Sequence, residues 1–251
     1  PILSADNAGN GGAIRFTQTG DIRTDGAAAH AVLVQSLGGG GGFVDGGFAG
    51  SAGGAGSGGG ITLDFTGNVL AGGNGSTALL AQSSGRDGGG DILVTLQSGY
   101  SMLGGIGGHA VRFDGGADNR FINHGTLVTR DGADGLVFVG GVGDDHIVNH
   151  GVVLGNVDLG GGAPAFTNAA GATLYSGNAL LLGAPENLLL NQGLLEPGAM
   201  GLAVQTSLAG SFRQILIAGH GAPALVLASA IAHLAEDVAL QDRLRAEPHL
   251  L

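Results

Sequence analysis

The chain has no cysteine, no tryptophan and no lysine, and only two tyrosines. Without cysteine there can be no disulfide, no thiolate metal site and no cysteine nucleophile. All of its basic residues are arginine, nine against twenty acidic residues, giving a net charge of −11. That balance leaves no basic surface to follow a phosphate backbone, so no nucleic-acid partner is expected. Charged residues make up only 12% and aromatics 4%, yet apolar residues reach 43%. A charge-rich disordered chain is therefore excluded, since it would need low hydrophobicity and high net charge. No G-x-S-x-G elbow, H-E-x-x-H pair or P-loop occurs. The glycine runs do not follow a strand and open a helix, as a phosphate cradle must. No catalytic residue and no cofactor is expected, and the chain reads as a non-enzyme. It opens at Pro1 with no basic stretch leading into an apolar one, so it reads as a piece of something longer that lacks an export signal of its own.

Glycine is abundant where those residues are scarce: 54 of 251 positions. An interior glycine costs a helix about 1 kcal/mol relative to alanine, so most of the chain is not expected to be helical. The glycines fall instead in a repeating pattern. Residues 20–36 (GDIRTDGAAAHAVLVQS) align without a gap on 67–83 (GNVLAGGNGSTALLAQS), 47 positions on. Leu33, Gln35 and Ser36 match Leu80, Gln82 and Ser83, and His109-Ala110-Val111 echoes His30-Ala31-Val32. Between the copies lie residues 38–60, 14 of 23 of them glycine, which suit an excursion from the repeating body.

A second repeat follows. Four segments share a glycine, an asparagine eight residues later and an apolar residue two before the asparagine. They are Gly115 to Asn123 with Phe121, Gly141 to Asn149 with Ile147, Gly160 to Asn168 with Phe166, and Gly183 to Asn191 with Leu189. The asparagines are 26, 19 and 23 residues apart, the length of one solenoid coil with variable loops. Strands such as 92–96, 136–139 and 152–154 are too short to bury a face alone. Stacked at about 4.8 Å they would pair above and below and fill an interior column. Glycine and asparagine suit the corners because both tolerate positive φ, and asparagines in register can form amide ladders. The expectation is an all-β fold, a right-handed parallel β-helix over 1–214, followed by a short α-helical tail over 215–251.

The stretches AQSSGRDGGG, LGGGAPAFTNAAGATL and NQGLLEPGAMGLAVQTSLAGSFRQ resemble the passenger repeats of autotransporters, the type V secreted proteins of Gram-negative bacteria. The resemblance covers about residues 1–214. It implies an exported structural or adhesin-type segment at the bacterial surface, outer-membrane-associated or extracellular. It further implies host or neighbouring-cell surfaces as partners, and an outer-membrane barrel in the parent protein that this chain does not contain.

From Ile215 the glycine rhythm stops. The uncharged run 214–235 is long enough to span a membrane, although His220, Pro223, His233 and its alanine content suit a buried or partner-seeking helix. A second, amphipathic helix is expected near 238–247, with Asp242, Arg243 and Arg245 exposed. The tail is similar to the oxygen-binding helix region of haem-thiolate monooxygenases, through Ile217-Ala218-Gly219-His220 and Gln241-Asp242-Arg243-Leu244-Arg245-Ala246-Glu247. Gly221, Ala222 and Pro223 stand where that family's acid and alcohol would be, and no cysteine exists to ligate haem. The resemblance implies a fused piece without the chemistry.

Two clusters could carry chemistry. Gly140-Gly141-Val142-Gly143-Asp144-Asp145-His146-Ile147-Val148 fits a calcium-binding nonapeptide, with Asp114, Asp118 and Asn119 one coil earlier. Asp114, Asp118, Asp144 and Asp145 are thus weak calcium candidates, and the preferred reading is of aspartates that cap their own turns. His124 and His150, each in Asn-His-Gly with His146 nearby, could hold a transition metal, act as a pH switch or simply occupy exposed turns.

Overall fold

The computed structural model describes residues 9–39, 43–44, 47–48, 56–183, 187–197, 207–209 and 212–217. Its strands pair in parallel throughout the main body. One sheet holds eight: Ile14–Thr19, Ile61–Thr66, Ile92–Leu96, Asp118–Asn123, Asp144–Asn149, Ala165–Asn168, Asn187–Asn191 and Phe212–Ile217, adjacent in chain order. Each circuit of the chain therefore returns to the same sheet one step along, as in a solenoid.

Between visits to that first sheet, the chain contributes to a twelve-stranded second sheet that has two rows. One row runs through Ile22–Thr24, Val69–Ala71, Ser101–Gly104 and Thr126–Thr129. The other runs through Val32–Leu37, Leu79–Ser84, Val111–Gly115 and Leu136–Val139. The rows merge at Val152–Asp158, whose first residues pair with Thr126 and Leu127 and whose last pair with Leu136–Val139. The bend within that strand falls at Gly155, which has φ +132°; a Cβ there would meet the Gly135 carbonyl oxygen. Only glycine makes this corner without strain.

The offset of 47 is the register of the first two coils. Ile22 lies beside Val69, Leu33 beside Leu80 and Ser36 beside Ser83, and Gln35 donates through Nε2 to Gln82 Oε1 at 2.8 Å. The extra length is residues 38–60. The parts of it that are described include an antiparallel pair, Phe43–Val44 with Gly47–Phe48, outside both main sheets.

Inside, alternate residues of each strand face one continuous core. Phe121, Ile147, Phe166 and Leu189 form a single in-register row that continues back through Val94, Leu63 and Phe16. Phe138 packs edge to face on both Phe113 and Phe121 at its middle, with ring centroids 5.2 and 6.0 Å apart. Each such side chain contributes about 1.5–3 kcal/mol of burial. Because a strand of four to six residues cannot cover this surface alone, stability is shared between neighbouring coils.

Two expectations are corrected. The helical tail does not begin at Ile215. Ile215, Leu216 and Ile217 belong to strand Phe212–Ile217, in register with Leu189, Leu190 and Asn191. The aliphatic run continues the ladder of the open edge it meets, a choice that local periodicity does not encode. The remainder, 218–251, lies outside the described residues, and no α-helix occurs among the described ones. The second correction concerns asparagine. Among the described residues, positive φ falls on glycines such as Gly115, Gly160 and Gly183 and on one other residue, Ala28. Asparagine stands at these corners for its amide and not for its backbone.

Candidate functional site

The four repeat asparagines are the last inward-facing residues of their strands, and all are buried. Their carboxamides form a ladder along the stack. Asn123 donates to Asn149, Asn149 to Asn168 and Asn168 to Asn191, each through Nδ2 to Oδ1 at 2.8 Å. The second hydrogen of each donor crosses the corner to the second sheet: Asn123 to the Val152 carbonyl, Asn149 to Thr173 and Asn168 to Leu194, at 2.9–3.1 Å. Asn149 Oδ1 also accepts from the Gly151 amide at 3.2 Å. All four hydrogen-bonding positions of that amide are filled, as a buried polar group requires.

A companion position lies four residues earlier. Asn119 donates to the Gly115 carbonyl and to Asp145 Oδ1, and its own oxygen accepts from the Ile92 amide. Asn187 repeats the first bond, donating to Gly183 at 2.8 Å. Asp145 is fully buried and accepts from the Gly141 amide through Oδ2 at 2.7 Å. Burial pushes its carboxyl up to about 6; the bonds from Asn119 and Gly141 oppose that shift, and the neighbouring Asp144 adds to it.

The calcium candidates therefore separate. Asp145 points inward and both its oxygens cap backbone or amide donors. Asp144 Oδ1 accepts from the Ala163 amide at 2.7 Å, one coil on. Asp118 is beside Asp144 in register but largely exposed, 3.4 Å from His146 Nε2. Asp114 sits in a strand of the other sheet, 4.0 Å from Arg112, its carboxyl raised chiefly by burial. Among the described residues no group of three or more His, Asp or Glu converges on one point. Asp21, Asp91 and Asp131 likewise accept from amides one coil away.

His124 and His150 do come together, as parallel exposed rings with centroids 4.8 Å apart and 9° between planes. A metal ion lies in the plane of each imidazole that binds it, so two parallel stacked rings cannot share one ion without turning. His146 belongs elsewhere. With Asp91, Ile92, Leu93, Asp118 and Arg120 it lines a shallow depression of about 480 Å³ on the outer face of the first sheet. An imidazole beside a carboxylate can relay a proton, but none of the lining residues offers a hydroxyl nucleophile.

Two further structural sites lie on residues that the sequence marks only as repeat matches. Buried Ser36 and Ser83 occupy equivalent positions: Ser36 Oγ accepts from Gly59 and donates to Gly12, and Ser83 Oγ accepts from Gly90 and donates to Gly59. The shared Gln-Ser ending of the first repeat was the signal. His30 and His109 also share a row, His30 Nδ1 accepting from the Thr77 amide and His109 Nδ1 bonding the Leu136 carbonyl. Burial holds both imidazoles below their ordinary range. No family model matches the chain, and no curated protein or solved structure matches it either.

Proposed function

We propose that the chain is a non-catalytic structural and adhesin-type segment of an autotransporter-like passenger, exported to the bacterial surface and folded there as a right-handed parallel β-helix. The hand follows from the general preference: parallel strands joined across one sheet connect right-handedly in about 98% of cases. The observation that carries the reading is the parallel stack, in register along the first sheet from Ile14–Thr19 to Asn187–Asn191, in which buried polar side chains are taken up in holding coil to coil. Asp145, Asn149 and Ser83 are buried and bonded to structural partners, which leaves them unsuited to a turnover site.

Such a stack acts mechanically. The eight strands of the first sheet, spaced at about 4.8 Å, give a rod that holds its loops away from a membrane. Each coil buries its apolar row only when it docks on the one before, so folding outside the cell would proceed stepwise and help draw the chain outward. The partners on this reading are host or neighbouring-cell surfaces. The haem-thiolate likeness of the tail enters as a fused piece without its chemistry.

The test is display of the full chain on an outer-membrane barrel carrier. The expected result is a surface-exposed product with a protease-resistant core and increased attachment of the cells to surfaces or to one another. Retention in the periplasm, or full display without any change in attachment, overturns the proposal.

A further inference from the structure

We propose that His124 and His150 form a two-imidazole site for a transition-metal cation, binding Cu2+ most tightly and Zn2+ or Ni2+ less. The site goes beyond the adhesin reading and does not depend on it. The stack builds the pair. Asn123 lies beside Asn149 in register, and the His150 amide donates to the Asn123 carbonyl at 2.7 Å. The next residue along each strand is therefore His124 beside His150, on consecutive coils, with both residues exposed and 4.8 Å between ring centroids. On the inward side the Asn123 carboxamide donates to Asn149 at 2.8 Å, so the backbone that carries the two rings is already fixed. A chelating pair held at a set spacing loses little freedom on taking up an ion.

Among the described residues neither ring makes a hydrogen bond or an ion pair, and the stack is their one ring contact. The χ2 torsion of histidine is broad, so each ring can turn about Cβ–Cγ at little cost. Two nitrogens held at about 2.0–2.1 Å by one ion stand roughly 3 Å apart. Turning the facing ring edges toward each other closes that distance from the 4.8 Å stack and brings the ion into the plane of both rings.

The donor set selects the ion. Neutral imidazole suits copper, zinc and nickel, whereas calcium and magnesium take oxygen ligands. Copper leads by the general order of affinity at nitrogen sites. The chain's net charge of −11 concentrates cations at its surface. No third His, Asp or Glu joins the pair among the described residues, so water fills the remaining positions. The two histidines lie 26 residues apart and meet only when their coils stack. An ion shared between them ties consecutive coils on the outside, as the amide ladder ties them within, and so favours the folded chain.

Calorimetric titration of the purified full chain with Cu2+ in a non-coordinating buffer tests this, together with electron paramagnetic resonance of the loaded chain. The tightest step should take up a single ion, with a spectrum of two imidazole nitrogens and a raised melting temperature. Acidification to about pH 5 should release the ion, because only neutral imidazole binds it. His124→Gln and His150→Gln should each weaken the tightest step by roughly ten-fold or more while the circular dichroism stays unchanged. His146→Gln, in the depression beside Asp118, should leave that step as it is. The chain unfolded in urea should bind no better than the variant lacking both His124 and His150. A tightest step that survives loss of both histidines, a spectrum without two imidazole nitrogens, or equal affinity in the folded and unfolded chain overturns the proposal.

Discussion

At the last inward position of the first sheet, the two halves of the stack are built from different chemistry. Toward the N-terminal end the row reads Gln18, Phe65, Leu96; from Asn123 onward it reads Asn123, Asn149, Asn168, Asn191. The backbone register is the same and every side chain is buried. The hydrocarbon pair Phe65 and Leu96 gains from burial alone and puts no condition on its neighbours beyond shape. The amide half must find two donors' and two acceptors' worth of partners for each residue, and finds them only if consecutive coils carry asparagine in register. What it gains is direction: the Nδ2 bonds to Val152, Thr173 and Leu194 tie the first sheet to the second at the corner. Hydrocarbon packing offers no such angular constraint.

The strongest way to break this comparison is to put an amide where no ladder exists. Phe65→Asn should cost about 5 kcal/mol, from lost burial plus an unpaired amide. Leu96→Asn should cost about 2 kcal/mol less, because Asn123 lies one step away and the ladder can extend to it. Equal costs in chemical denaturation would show that the ladder is not a unit. Removing a rung comes next. Asn149→Ala strands the Asn123 donor, the Asn168 acceptor partner relation and the Gly151 amide, and should lose about 3 kcal/mol by the same measurement.

A smaller effect concerns Asp145, which caps the ladder's companion position. Its pKa in the fold, about 6, lies above the ordinary 3.8, so the folded chain holds this proton more tightly than the unfolded one. The stabilising contribution is complete below 3.8 and lost as pH rises through 6. The melting temperature of the natural chain relative to Asp145→Asn should therefore increase between pH 7 and pH 4; a flat difference would reject the assignment. The least effect is expected from His124→Ala, within about 0.5 kcal/mol, because the stacked ring is exposed and no core group depends on it.

Much of the stack was legible in the sequence. The 47-residue offset and the Gly-to-Asn spacing correspond to coil registers, because in a solenoid a residue's neighbour in space is its counterpart one period away. Asn119 could have been found with the ladder, since Gly115 and Gly183 precede Asn119 and Asn187 by the same four residues. The fate of the aspartates was not legible. Asp144 and Asp145 are adjacent in a motif that suits calcium, but a strand sends adjacent side chains to opposite faces. One therefore caps Ala163 outside while the other is buried against Asn119. Likewise Ile215–Ile217 could be helix or strand by composition, and the free edge of Asn187–Asn191 decided it.

The sequence by itself determined the kind of object: a chain rich in glycine, short of charge and aromatics, and periodic in asparagine can bury its apolar residues only by stacking on itself. Tertiary structure decided what each polar residue does there. A hydrogen bond depends on which coil lies above and which face a side chain takes, and coils that vary from 19 to 47 residues per step hide both from a reading along the chain.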